Sequence, residues 1–193
     1  MFPSTIDNEA LKKLPKGAFD GEIHLIETPG GVRKYMPVLM RERLLGFDIE
    51  ARPAFKKGNK HKPSLLQVST RFHAFLFRLD PLGLPDPLIR LLENGDILKV
   101  GAAVRDDLVD LNEVRRFTPA GFLDLQKYVE AFGIQSKALA KMAGIVLGFR
   151  ISKSQQLSKW DAEVLSAPQL LYAATDAWVC YRIYSELQNF HAR

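Results

Sequence analysis

The sequence predicts an α/β fold with a mixed β-sheet, an antiparallel hairpin plus parallel strands, and helices on both faces. Two observations predict it. Leu65–Thr70 and Ala74–Leu79 are apolar, β-prone runs separated only by Arg71-Phe72-His73, a hairpin spacing. Further along, strand-like segments alternate with helical ones, the order that builds parallel pairs.

The elements follow in chain order. Residues 1–20 are mixed and polar, with a turn at Pro15-Lys16-Gly17, and read as a loose N-terminal arm; residues 21–193 read as one domain. Gly21–Glu27 alternates polar and apolar residues, as a half-buried strand does, and Thr28-Pro29-Gly30-Gly31 breaks it. Met36–Arg43 reads as a short helix. Leu44–Ala51 starts with an apolar run that suits a central strand. Arg52–Ser64 is a basic loop, and the hairpin follows it.

Asp80–Pro87 is a Pro/Gly loop, and Leu88–Glu93 is a short helix ended by Asn94-Gly95. Ile97–Val104 is a buried strand. Asp106–Phe117 carries apolar residues at 108, 109, 111 and 114, a helical spacing. Phe122–Leu125 is a short strand. Gln126–Phe132 and Lys137–Val146 are helices, the second capped by Ser136. Residues 148–161 are a loop. Ser166 and Gln169 have capping-box spacing with Pro168 in the first turn, so the last helix starts there and runs to about Phe190.

Bulk properties narrow the function. A chain of 193 residues with 47% hydrophobic residues can bury a core as one domain. Its single cysteine, Cys180, permits no internal disulfide, which fits a reducing cytoplasm. The N-terminus lacks a secretory pattern and no apolar run approaches a membrane span, so a cytoplasmic location without a membrane partner is expected. A net charge of +5 and a pI of about 9.3 lean toward a polyanion.

Acidic residues at three places carry the chemistry. Asp48 and Glu50 are two apart on a strand and project from one face among apolar neighbours. Two buried like charges repel and are poorly solvated, and a cation removes both costs. Asp107, with Asp106 as its immediate rival, follows a strand and opens a helix. Tyr172 and Asp176 are four apart on the last helix and share a face. Each alone has a plain reading: exposed strand-end acids, a helix-dipole acid, a half-buried aromatic. Together the four carboxylates match the charge of two divalent ions, Mg2+ or Mn2+, equipment for phosphodiester hydrolysis.

The segments Phe47-Asp48-Ile49-Glu50, Lys99-Val100-Gly101 through Asp107, and Leu171-Tyr172-Ala173-Ala174-Thr175-Asp176-Ala177 resemble the motifs of the DEDD superfamily of 3′–5′ exonucleases. Tyr172 marks the DEDDy subgroup, which includes ribonuclease D and the Werner-syndrome-protein exonuclease domain. The resemblance covers about residues 22 to 190 and implies a ribonuclease-H-like fold. It implies that Asp48 bridges two metals, that Glu50 and Asp176 complete the tighter site, and that Asp107, rather than Asp106, serves the second largely through water. It also implies that Tyr172 positions the attacking water and that nucleoside monophosphates leave from a DNA or RNA 3′ end. Trp160 is followed by Asp161-Ala162-Glu163 where ribonuclease D commonly has Arg-Pro-Leu, which points to the Werner-like branch. No room remains for the C-terminal helical domain of ribonuclease D, so a stand-alone nuclease domain is expected.

Lys56, Lys57, Lys60 and Lys62 follow the first acidic strand and can track the nucleic-acid backbone, or simply be solvated. Phe55 can stack on a base or pack the loop. Arg78 and Arg105 can reach phosphates but read more simply as surface charge, Gln67 as a backbone-bonding residue, Trp160 as a core or wall residue, Cys180 as a small core hydrophobe, and Asp124 as a residue that caps or orients a helix. The four histidines show no metal-ligand spacing. The rival readings are a catalytically idle nucleic-acid-binding domain of the same fold and a short-oligonucleotide phosphodiesterase.

Overall fold

A computed structural model describes residues 1–54 and 61–191. Among them, six strands form one sheet in the order β1-β4-β3-β2-β5-β6: β1 Glu22–Ile26, β2 Leu44–Ala51, β3 Pro63–Ser69, β4 His73–Arg78, β5 Leu98–Gly101 and β6 Phe122–Asp124. Only β3 runs against the rest. It pairs antiparallel with β2 and β4, whereas β1–β4, β2–β5 and β5–β6 are parallel. This is the expected mixed sheet, and β3–β4 is the expected hairpin. No described helix is long and apolar enough to cross a membrane.

Strand alternation divides the core. Phe47, Val68, Phe75 and Phe77 point to one face, where α2 (Pro29–Leu39), α4 (Asp86–Leu92) and α5 (Val104–Val114) cover them. Gly46, Asp48 and Glu50 point to the other. There α7 (Leu139–Leu147) and α8 (Ala167–His191) pack, with α8 laid along β2. Trp160, Leu165 and Tyr172 form a smaller cluster over Leu65 and Leu76 at one end of that face.

Several local readings change. The helix expected at 36–43 starts earlier, because Thr28 caps it and Pro29 sits at its first position, where a missing N–H costs nothing. Its interior Pro37 does not stop it. A short helix, α3 (Leu79–Leu82), replaces irregular structure in the Pro/Gly loop, while the helix expected at 126–132 is present as α6 (Leu125–Tyr128) continuing as a 3-10 turn to Phe132. Ser136 does not cap α7; Ala138 holds that position without a side-chain bond. The capping box of α8 forms as expected: Gln169 Oε1 accepts from Ser166 N at 3.0 Å and Ser166 Oγ accepts from Gln169 N.

The first 20 residues are not loose. They carry α1 (Asn8–Lys13), capped by Asp7. Phe2 packs on Phe190 with ring centroids 4.8 Å apart, and Phe19 is buried beside Trp178. The backbone of Pro15 and Gly17 bonds to Arg150, and Phe19 N donates to Thr175 Oγ1 at 3.1 Å. Interspersed apolar residues at 2, 6, 11 and 19 lack a regular period, so their burial is set by the surface that receives them.

Candidate active site

β2 supplies Asp48 and Glu50, and α8 supplies Asp176. One carboxylate oxygen from each lies within 4.8 Å of the other two. The approach is possible because β2 carries Gly46 on the same face, where the α8 backbone at Ala177 fills the space a side chain would take. Helix spacing then sets Tyr172 one turn before Asp176. Tyr172 is itself buried, and its ring lies 5.9 Å from that of the fully buried Trp160.

The electrostatics are those of crowded carboxylates. Burial, followed by Glu50, Asp176 and Asp107, raises the pKa of Asp48 well above the ordinary carboxylate range. Burial and the charges of Asp176 and Asp107 push Glu50 up to about 9. Burial also pushes Asp176 up to about 7, although the Tyr172 hydroxyl and Lys153 oppose the rise. The Tyr172 hydroxyl is raised too, by burial first and then by Asp176 and Glu50, so it stays protonated. Among the described residues, no lysine or arginine stands within ion-pair distance of Asp48, Glu50 or Asp176.

Asp107 stands differently. It lies near enough to raise both Asp48 and Glu50, but it is outside the triple that shares the 4.8 Å sphere. Burial, then Asp110, Asp106 and Asp124, pushes it up to about 7. Its helix begins from a strained backbone: Ala103 has φ 59°, and its N–H donates to Asp124 Oδ1 at 3.2 Å. Asp124 also accepts from Gln126 N, so it caps and orients as expected.

The donor set fits hard divalent cations. It consists of carboxylate oxygens, which suit Mg2+ and Mn2+. Asp176 Oδ1 is buried without a hydrogen-bond partner among the described residues, a costly state that an ion would relieve.

The basic patch is only partly described. Lys56, Lys57 and Lys60, with Phe55, lie outside the described residues; Lys62 is exposed just before β3. Three other expectations change. Arg78 is buried, not a surface charge: it donates to the carbonyls of Ala162 at 2.6 Å and Glu163 at 3.3 Å, pinning the segment after Trp160. The Gln67 side chain makes no backbone bond; it stands opposite Asp48 in the β2–β3 register, fully buried, with neither amide atom partnered among the described residues. Lys153, read as part of a polar loop, is close enough to act on Asp176. A glycine inside an acidic strand was the signal available for the α8 contact; Gln67 and Lys153 carried none.

A cleft beside Tyr172 is lined by Gly17, Ala18, Ser152, Ser154 and Pro168. The N-terminal segment therefore helps to shape the approach to the acids.

Residues 23–190 match the sequence profile of the 3′–5′ exonuclease family. The chain is 28% identical over 205 residues to the human protein named exonuclease mut-7 homolog, covering 89% of this chain and 23% of that one. Its fold superposes on the Aedes aegypti Nibbler EXO domain with a TM-score of 0.81, at 23% identity, covering 92% of this chain and 94% of the other. Escherichia coli RNase D, described as an exoribonuclease involved in structured RNA processing, gives a TM-score of 0.76 at 25% identity, with 86% of this chain and 44% of that one covered. The chain spans about a quarter to a third of the length of the first curated relatives it matches.

Proposed function

The chain belongs to the 3′–5′ exonuclease family, and on that premise we propose that it hydrolyses phosphodiester bonds of DNA or RNA from the 3′ end, releasing nucleoside 5′-monophosphates. The observation that carries this reading is the triple of half-buried Asp48 and Glu50 with buried Asp176, mutually within 4.8 Å, with an Asp176 oxygen that has no partner among the described residues.

In this reading, Asp48, Glu50, Asp176 and Asp107 are the residues that would hold divalent ions. Mg2+ or Mn2+ held there would supply charge for the scissile phosphate, an acidified water and stabilisation of the leaving oxygen. The chain's own residues do the rest. Tyr172 stays protonated and hydrogen-bonds the attacking water, with Trp160 fixing its ring. The cleft beside Tyr172 receives the terminal nucleotide, while Lys62 and the lysines before it follow the phosphate backbone. The rates of such sites come from positioning and preorganised charge, which a rigid strand–helix contact provides.

The test is a 5′-labelled oligonucleotide with Mg2+ or Mn2+. Stepwise shortening from the 3′ end is expected, abolished by Asp48→Asn and by Asp176→Asn with the circular dichroism spectrum unchanged. Near-normal turnover in either variant ends the reading. Tight binding without products marks an idle binding domain, and products from di- or trinucleotides alone mark a short-oligonucleotide phosphodiesterase.

A further inference from the structure

The histidines show no ligand spacing along the chain, yet parallel pairing of β1 with β4 brings two of them together. Glu22 lies opposite His73, and His24 lies opposite Phe75. Residues two apart on a strand, and residues directly opposite, share a face, so all three side chains project together. His24 is held in place: its ring centroid lies 4.6 Å from that of Tyr35 and 4.9 Å from that of Phe75.

The polar atoms then converge. His24 Nε2 is 3.2 Å from His73 Nδ1. The Glu22 carboxylate reaches both rings, at 3.6 Å from His24 Nδ1 and 3.7 Å from His73 Nδ1. One ligand atom from each of the three residues lies within 4.8 Å of the other two. A tetrahedral ion with bonds of about 2.0–2.1 Å holds its ligand atoms about 3.4 Å apart, close to the imidazole–imidazole separation here.

We propose that Glu22, His24 and His73 form a second metal site, which takes a borderline divalent cation, Zn2+ above all, through two imidazole nitrogens and one carboxylate oxygen. The fourth position faces solvent beside the exposed Glu22, the arrangement of a zinc site with three protein ligands and water. Imidazole selects Zn2+ over Mg2+, whereas the all-oxygen triple at Asp48 favours the hard ion. The two sites are also separate in space. Glu22, His24 and His73 lie on the α2 face at the Leu44 end of the sheet; Asp48 and Glu50 lie on the α8 face toward its other end. A bound ion ties the edge strand β1 to β4 by its side chains as well as its backbone, and the proposal does not rest on the nuclease reading.

Equilibrium dialysis of the full chain against Zn2+, in a large excess of Mg2+, tests it. One equivalent of Zn2+ is expected in the wild type and in Asp48→Asn, and none in His73→Asn. His73 is at the rim, so this variant keeps its fold, which circular dichroism checks. Glu22→Gln is expected to weaken binding at least about tenfold, the effect already seen for losing an outer partner of a ligand. Co2+ in place of Zn2+ should give the visible bands of tetrahedral coordination in the wild type and not in His73→Asn. Equal Zn2+ uptake by wild type and His73→Asn, loss of the equivalent in Asp48→Asn, or no uptake at micromolar Zn2+ overturns the proposal.

Discussion

Gly46 and Ala177 touch through their backbones: a Cβ added to Gly46 would lie 1.8 Å from the Ala177 carbonyl oxygen. Ala177 follows Asp176, and Gly46 precedes Asp48 by two on the same strand face. This contact sets the distance between the helix acid and the strand acids. Gly46→Ala must therefore push α8 off β2. Overpacking of this kind costs about 1–3 kcal/mol. The expected outcome is a lower urea midpoint together with loss of divalent-metal affinity. An unchanged midpoint would mean that α8 does not rest on Gly46.

The carboxylates make the metal-free protein sensitive to pH in an unusual direction. Each has a folded pKa above its unfolded value of about 4, so the folded chain binds its protons more tightly. Their contribution to stability is complete below about pH 4. It is lost as pH rises through about 7 for Asp107 and Asp176 and about 9 for Glu50. Melting in EDTA should therefore show stability falling between pH 5 and 9, as an order-of-magnitude window from these values. Mg2+ should reverse the trend, because it binds the deprotonated acids. Asp48→Asn should stabilise the EDTA-treated protein at pH 8, seen as a higher melting temperature, while abolishing cleavage. A destabilised variant would contradict the crowding.

Tyr172 is buried against Trp160 and keeps its proton, so on the proposed reading its hydroxyl would donate to and orient the attacking water. Tyr172→Phe keeps the ring and removes only that hydroxyl. Turnover is expected to fall about 100-fold, the lower range for a positioned proton-handling group. Calorimetric titration with Mn2+ should find binding close to wild type. Equal losses in both would make Tyr172 a structural support of the metal site.

Gln67 is a buried amide with no partner among the described residues, directly opposite Asp48. An unsatisfied buried polar group costs about 1–3 kcal/mol. Gln67→Leu should raise the urea midpoint of the EDTA-treated protein. A drop in nuclease activity in that same stabilised variant would show that the amide serves the Asp48 side of the site. A lower midpoint would show that Gln67 finds partners in solution.

The legible parts of this protein were those whose rule operates within a few residues. Period-two alternation put Asp48 and Glu50 on one face of β2, helical spacing put Tyr172 and Asp176 on one face of α8, and the Ser166–Gln169 pair started that helix where the sequence says it starts. Arg78 was misread because a strand-end arginine looks the same in sequence whether it meets water or the carbonyls of Ala162 and Glu163, more than 80 residues away.

By itself, then, the chain determined which carboxylates could work together and which elements would carry them. The tertiary structure decided which of them meet. It gathered Asp48, Glu50 and Asp176, left Asp107 beside them on a strained helix start, set Gly17 and Ala18 in the wall of the cleft, and joined His24 to His73 across two strands. The physical reason is that side-chain direction follows from local backbone geometry, whereas strand register and helix seating depend on which distant surfaces exclude water together.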